Sequence, residues 1–287
     1  MEAVFKREFR SYFTGMTGWI FFAVLFIFCG IFTTAINLLG HAASFEYVLS
    51  NLTIVLLFLM PVLAMRSLAE EKRSRTDGLL YSLPVGMRDV VAGKYLALVS
   101  VWGIACLAIG AVPLILSFYG KIYFASAYGT LLGFFLLGCA LLAICMFFSS
   151  LMENQILVAV SGFGSLLLLY LMNGIASLIP AGAGTSLLAF IAVEAAAAVI
   201  LYLLTKNIWT SVGAFALLAV PTVTVYLVKK SLFEGLFPKL LGYTAVFDRF
   251  DSFVNGIFDI TAIVYYITLA FFFVWLSVQS MDRKRWN

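Results

Sequence analysis

Apolar residues in this chain come in long blocks, and polar residues are confined to the gaps between them. Eight blocks stand out: Gly18–Leu39, Asn51–Ser67, Tyr95–Phe118, Ala125–Ser150, Ile156–Ile179, Ser186–Leu204, Ser211–Val228 and Asp259–Ser280. About 20 apolar residues in a helix cross the hydrocarbon core of a bilayer. Backbone groups in lipid must be bonded internally, so helices are the state expected for blocks this long. The pattern predicts an all-α, polytopic bundle of about eight transmembrane helices, with residues 1–287 forming a single membrane domain. The second and seventh blocks are the shortest and are expected to tilt little or to pack inside the bundle.

Four polar or amphipathic segments interrupt this pattern. In Met1–Thr14, Val4, Phe5, Phe9, Tyr12 and Phe13 recur at helical spacing, while Lys6, Arg7 and Arg10 take the other faces. This predicts an N-terminal interfacial helix rather than a cleavable leader. Leu68–Lys94 is a long connection, Met152–Gln155 a short turn, and Lys229–Phe258 a longer segment with an apolar stripe of Phe233, Leu236, Phe237, Leu240 and Leu241. The stripe predicts a helix lying along a surface.

Composition agrees with the pattern. Of 287 residues, 63% are hydrophobic and 11% charged, against about 25% charged in soluble domains. The net charge of +4 is informative only through its distribution. If the N-terminus is cytoplasmic, 13 of the 18 Lys and Arg residues fall on the cytoplasmic side, and inversion would reverse that balance. The positive-inside rule therefore places both termini in the cytoplasm. The four basic residues of 229–258 oppose this placement and are partly offset by Glu234, Asp248 and Asp251. No basic face alternates with aromatics outside the apolar blocks, so nucleic acid is not an expected partner.

Catalytic chemistry has little to stand on. His41, the only histidine, lies in a short turn, and no His, Cys or carboxylate cluster has metal-ligand spacing. Cys29, Cys106, Cys139 and Cys145 all sit in apolar blocks and read as small hydrophobes. Gly86 to Gly93-Lys94-Tyr95 resembles a phosphate loop only faintly. Six residues separate its glycines instead of four, and Tyr95 stands where a Ser or Thr must reach magnesium. No cofactor, metal or enzymatic activity is expected in this chain. Glu194, in the sixth block and followed by four alanines, is the one clear intramembrane carboxylate. It is either a polar site in a substrate path or a carboxyl bonded to a neighbouring helix.

The connection 68–94 carries the most information. Glu70, Glu71, Lys72, Arg73 and Arg75 come first, Thr76 or Asp77 can cap a helix, Leu79, Leu80 and Leu83 form a short apolar face, and Pro84 ends it. Such a helix suits a groove on a soluble partner, with Glu70, Glu71, Arg73, Arg75 and Asp77 on its charged rim. A loop whose leucines lie back on the bilayer is the alternative that the residues leave open.

Three segments resemble the ABC-2 family of transporter permeases, and within it the gliding-motility-type (GldF-like) branch. They are Glu70–Val85, which looks like the family's cytoplasmic coupling helix; Phe148–Ile156, similar to its turn between the fourth and fifth spans; and Phe250–Gly256 through Tyr265-Tyr266 to Asp282–Trp286. The resemblance implies a multi-pass protein of the bacterial cytoplasmic membrane. It implies a second permease chain, identical or not, and two copies of a separate ATPase that binds ATP and magnesium under the coupling helices. Export is the expected direction. The resemblance implies six spans, so the sixth and seventh blocks would be an added hairpin, with Glu194 in an accessory helix. A secondary carrier driven by an ion gradient, and a membrane anchor without a transport path, are the competing functions.

Overall fold

The computed structural model describes residues 1–41, 44–73 and 86–285. Among these, all regular structure is helical. An amphipathic α1 (Glu2–Thr14) precedes α2 (Met16–Thr33), which continues into a π-helical turn to Leu39. Then come α3 (Glu46–Ala64), the short α4 (Ala69–Arg73), α5 (Met87–Ile109), α6 (Val112–Leu116), α7 (Phe124–Leu151) and α8 (Gln155–Leu178). The chain closes with α9 (Ala183–Thr205), α10 (Ile208–Val228), α11 (Leu236–Thr244), α12 (Asp248–Val254) and α13 (Ile260–Arg285).

Seven helices among the described residues are long and apolar enough to span a membrane. The eighth expected block is helix α9, whose described apolar stretch, Ala183–Val199, is shorter. The second block is longer at its start than its apolar letters suggest, because the helix begins at Glu46 and takes in Tyr47 and Ser50. The third is broken. Gly110 ends α5, and Pro113 opens α6 in its first turn, where a missing N–H is tolerated. Tyr128 donates to the Gly110 carbonyl at 3.2 Å, satisfying a group that a continuous helix would have paired.

The chain divides into two compact units: residues 1–168 with 246–287, and residues 169–245. In the first, α7 is the hub and packs against α3, α5, α12 and α13. Small residues on α7 admit large ones from its neighbours. Trp102 of α5 is fully buried and donates to the Phe135 carbonyl at 3.0 Å. It fits because Gly138 has no side chain; a Cβ there would lie 2.3 Å from the indole ring. Gly133 admits Phe253 in the same way, at 2.7 Å. The Gly129/Gly133 step, which allows close approach of another helix, is therefore half filled from within the chain, while Gly129 faces open space. Thr130 donates to the Phe253 carbonyl (2.8 Å), tying α12 to the hub, and Tyr266 of α13 donates to the Val246 carbonyl just before α12 (3.0 Å). All four cysteines are free and buried, as their apolar settings predict.

The second unit holds the sixth and seventh blocks as the α9–α10 hairpin, with α11 and a 3-10 turn at Lys230–Phe233 packed on α9. Phe190 meets Phe233 and Phe237 edge-on, with ring centres 5.9 and 5.1 Å apart.

Candidate functional site

Of the segments that carry the family resemblance, residues 70–73, the turn at 148–152 and the end of α13 meet at one end of the first unit, while Phe250–Gly256 packs near the start of α7 at the other. α3 runs from Glu46 down to Ala64, and the chain turns through residues 65–68 into α4. The end of α7 receives it. Ser149 Oγ accepts from the backbone N–H groups of Leu68 and Ala69 at 3.1 and 3.0 Å, capping orphan donors at the start of α4. Lys72 is buried and donates to the Ser150 carbonyl. Ser280 of α13 donates to the same carbonyl at 3.3 Å. Segments near residues 70, 150 and 280, far apart in sequence, are thus joined through one turn of α7.

A second set of contacts ties the loop base to α1 and α5. Gly15 takes an extended conformation, and α1 folds back so that Tyr12 is buried and donates to the Leu63 carbonyl at 3.3 Å. Gly93 lets the start of α1 lie on α5; a Cβ there would meet the Met1 carbonyl at 3.1 Å. This packing brings four charges together. Lys94 Nζ lies 2.9 Å from Glu71 Oε1 and 3.2 Å from Glu8 Oε1, and it donates to the Ser67 carbonyl at 2.6 Å. Arg7 reaches Glu71 at 2.6 Å and Glu8 at 2.8 Å. The hydrogen bond from Arg7 to Glu8 raises the guanidinium pKa further above its already high value, with the Glu71 charge adding to it. Two cations and two anions cancel, so Lys94 can be buried against Glu8 and Glu71 while Arg7 closes the group at the solvent edge. Beside it, Arg66 grips Glu70 with two bonds of 2.9 Å and donates to Thr17 at 2.6 Å.

The expected site residues are therefore distributed unevenly. Glu70 and Glu71 hold partners within the chain, and Arg73 is exposed at the end of α4. Arg75, Asp77, Leu79, Leu80 and Leu83 lie outside the described residues. Glu194 accepts from Thr222 across the α9–α10 hairpin at 2.6 Å. This is the neighbouring-helix bond that was one of its two expected roles. Residues 87–94 are helical and Lys94 is buried in the ion cluster, so the faint phosphate-loop pattern reports packing and charge pairing. Glu8, Ser149 and Lys94 were not singled out from the sequence as parts of one site. An acid among the basic residues of an amphipathic helix, and a lysine immediately before an apolar block, are the signals that mark two of them.

A comparison with protein families places this arrangement. The ABC-2 family transporter model matches residues 2–187, well over half of the chain and both sides of the clamp just described. The chain belongs to the ABC-2 transporter family. It is accordingly a membrane-embedded transport component, an ABC transporter permease. No curated protein and no solved structure matches it.

Proposed function

We propose that this permease exports its substrate with energy supplied by a separate ATPase that docks on loop 68–94. The observation that carries this reading is the clamp at the base of the loop. Six residues from α1, α4, α5 and α7 (Arg7, Glu8, Glu71, Lys72, Lys94 and Ser149) fasten its first turn to three long helices. A push on a free loop would be absorbed by the loop. A push on this one is passed to α5 and α7, and α7 touches most of the first unit.

On this reading two such chains, from one gene or two, form the path in a bacterial cytoplasmic membrane, and two ATPase chains supply ATP and magnesium chemistry. The gliding-motility-type branch is the proposed place within the family. The purified permease alone is expected to hydrolyse no ATP above background, and the complex with its ATPase is expected to do so. Sustained hydrolysis by the clean permease would refute the division of labour.

The same reading fixes orientation. With Lys and Arg concentrated at the clamp end, that end and both termini face the cytoplasm. Cysteines introduced by Ser74→Cys and His41→Cys are expected to label with impermeant maleimide from opposite sides, the first only after the membrane is opened. Labelling of both from one side contradicts the topology.

A further inference from the structure

At the end of the first unit opposite the clamp, the beginnings of α3 and α7 and the α12–α13 turn border an open cleft of about 810 Å³. Glu46, Tyr47, Tyr123, Ser126, Asn255 and Phe258 line it. The turn is fixed by Gly256, whose φ of +74° favours a residue without a side chain; it sets Asn255 at the wall.

Glu46 is the feature that needs an explanation. Its side chain belongs to a residue only 7% exposed, yet no residue among those described gives it a hydrogen bond or an ion pair. Neither carboxylate oxygen is sealed from water without a partner; the acid sits on an otherwise covered residue and opens onto the cleft. Its place in the first turn of α3 gives it only the partial positive charge of a helix end. Around it are three aromatic side chains, each more than half exposed at the residue level. The segments near the cleft carry Glu46, Asp248, Asp251 and Asp259 against Lys121 and Arg249, and Arg249 is already stacked 4.1 Å over Tyr265.

We propose that this cleft binds the ammonium group of an organic cation, with Glu46 as its counter-ion and Tyr47, Tyr123 and Phe258 as the rings against which it packs. One carboxylate matches one positive charge. Aromatic faces attract ammonium groups at exposed sites as well as desolvated ones. Asn255 and Ser126 can hydrogen-bond an N–H or a neighbouring hydroxyl. A divalent metal is a poor match, because calcium takes six to eight oxygen ligands and magnesium six in a tight octahedron, and no group of three His, Cys, Asp or Glu residues among those described could hold a metal ion. The same chemistry exists in a soluble amine and in a phospholipid headgroup such as ethanolamine.

The test uses the full-length protein in uncharged maltoside micelles, with tritiated benzyltrimethylammonium as probe in equilibrium dialysis. Saturable binding is expected, weakened at least tenfold in Glu46→Gln and threefold or more in Tyr123→Ala and Phe258→Ala. Adding short-chain phosphatidylethanolamine separates the sources. Competition by it, and not by phosphatidylglycerol, identifies a lipid headgroup; competition by neither identifies a soluble cation; and both results support the ammonium site. Absence of saturable binding overturns the proposal, as does affinity within twofold of wild type in Glu46→Gln. If Glu46→Gln does not fold, unchanged affinity in both aromatic variants overturns it instead. No ATPase is needed, so this result and the fate of the ATP-coupling reading are independent.

Discussion

Leu80→Asp is expected to strip the ATPase from the permease while leaving the permease inserted and folded. The apolar triplet Leu79, Leu80 and Leu83 is proposed to fill a groove on the partner, and interface energy concentrates in such buried anchors. An aspartate at the central position would carry an unpaired charge into that groove. Desolvating it without a partner costs on the order of several kcal/mol, which is a hundredfold or more in affinity. Arg75→Ala is the paired measurement. A rim charge exchanges one solvated setting for another, so its removal is expected to cost about 1 kcal/mol or less. Co-purification of the ATPase and transport should both be lost in Leu80→Asp and nearly intact in Arg75→Ala. If Leu80→Asp retains both, the leucines lie on lipid, and loop 68–94 is not the docking element.

Much of this architecture is written in local patterns, and those patterns survive. The eight apolar blocks are helical, seven of them long and apolar enough to span a membrane, where lipid leaves the backbone no other solution, and the stripe around Leu236–Leu241 appears as α11. Boundaries shifted where polar residues belong to helices. Glu46 and Tyr47 were assigned to a connection but open α3, since a residue in a first helical turn need not be apolar. Pro113 lies in the first turn of the short α6 that follows the break at Gly110. The clamp was far less legible. Glu8, Glu71 and Lys94 are far apart in sequence; the approach of α4 to α5 joins the last two, and the fold-back of α1 at Gly15 adds the first. Read along the chain, Glu71 belongs to a run of charges available to a partner; in three dimensions its Oε1 already holds Lys94 and Arg7. The Glu46 cleft was equally hidden, because an acid at the edge of an apolar block is ordinary until its burial is known.

Those buried charges define the second large effect. Lys94→Met is expected to destabilise the permease by about 3–5 kcal/mol, the usual consequence of removing one partner from a buried ionic group. Lys94 is only 2% exposed and serves three acceptors. Methionine keeps most of its stem but leaves the Glu8 and Glu71 carboxylates converging on the same space, with Arg7 alone to offset them. Glu71→Gln should be milder, because Lys94 then retains Glu8 and the Ser67 carbonyl, and Arg7 retains Glu8. The double variant decides what the cluster does. With both charges gone, one carboxylate again faces one guanidinium, so the pair of changes should cost less than their sum, with a coupling of roughly 1–3 kcal/mol. Thermal unfolding of the four proteins in one detergent reads this directly, and additive losses would show that Lys94 and Glu71 act separately. The transport measurement adds the functional half. A double variant that folds and binds the ATPase, yet turns over ATP without moving substrate, is the expected sign that the clamp transmits the push from the loop to α5.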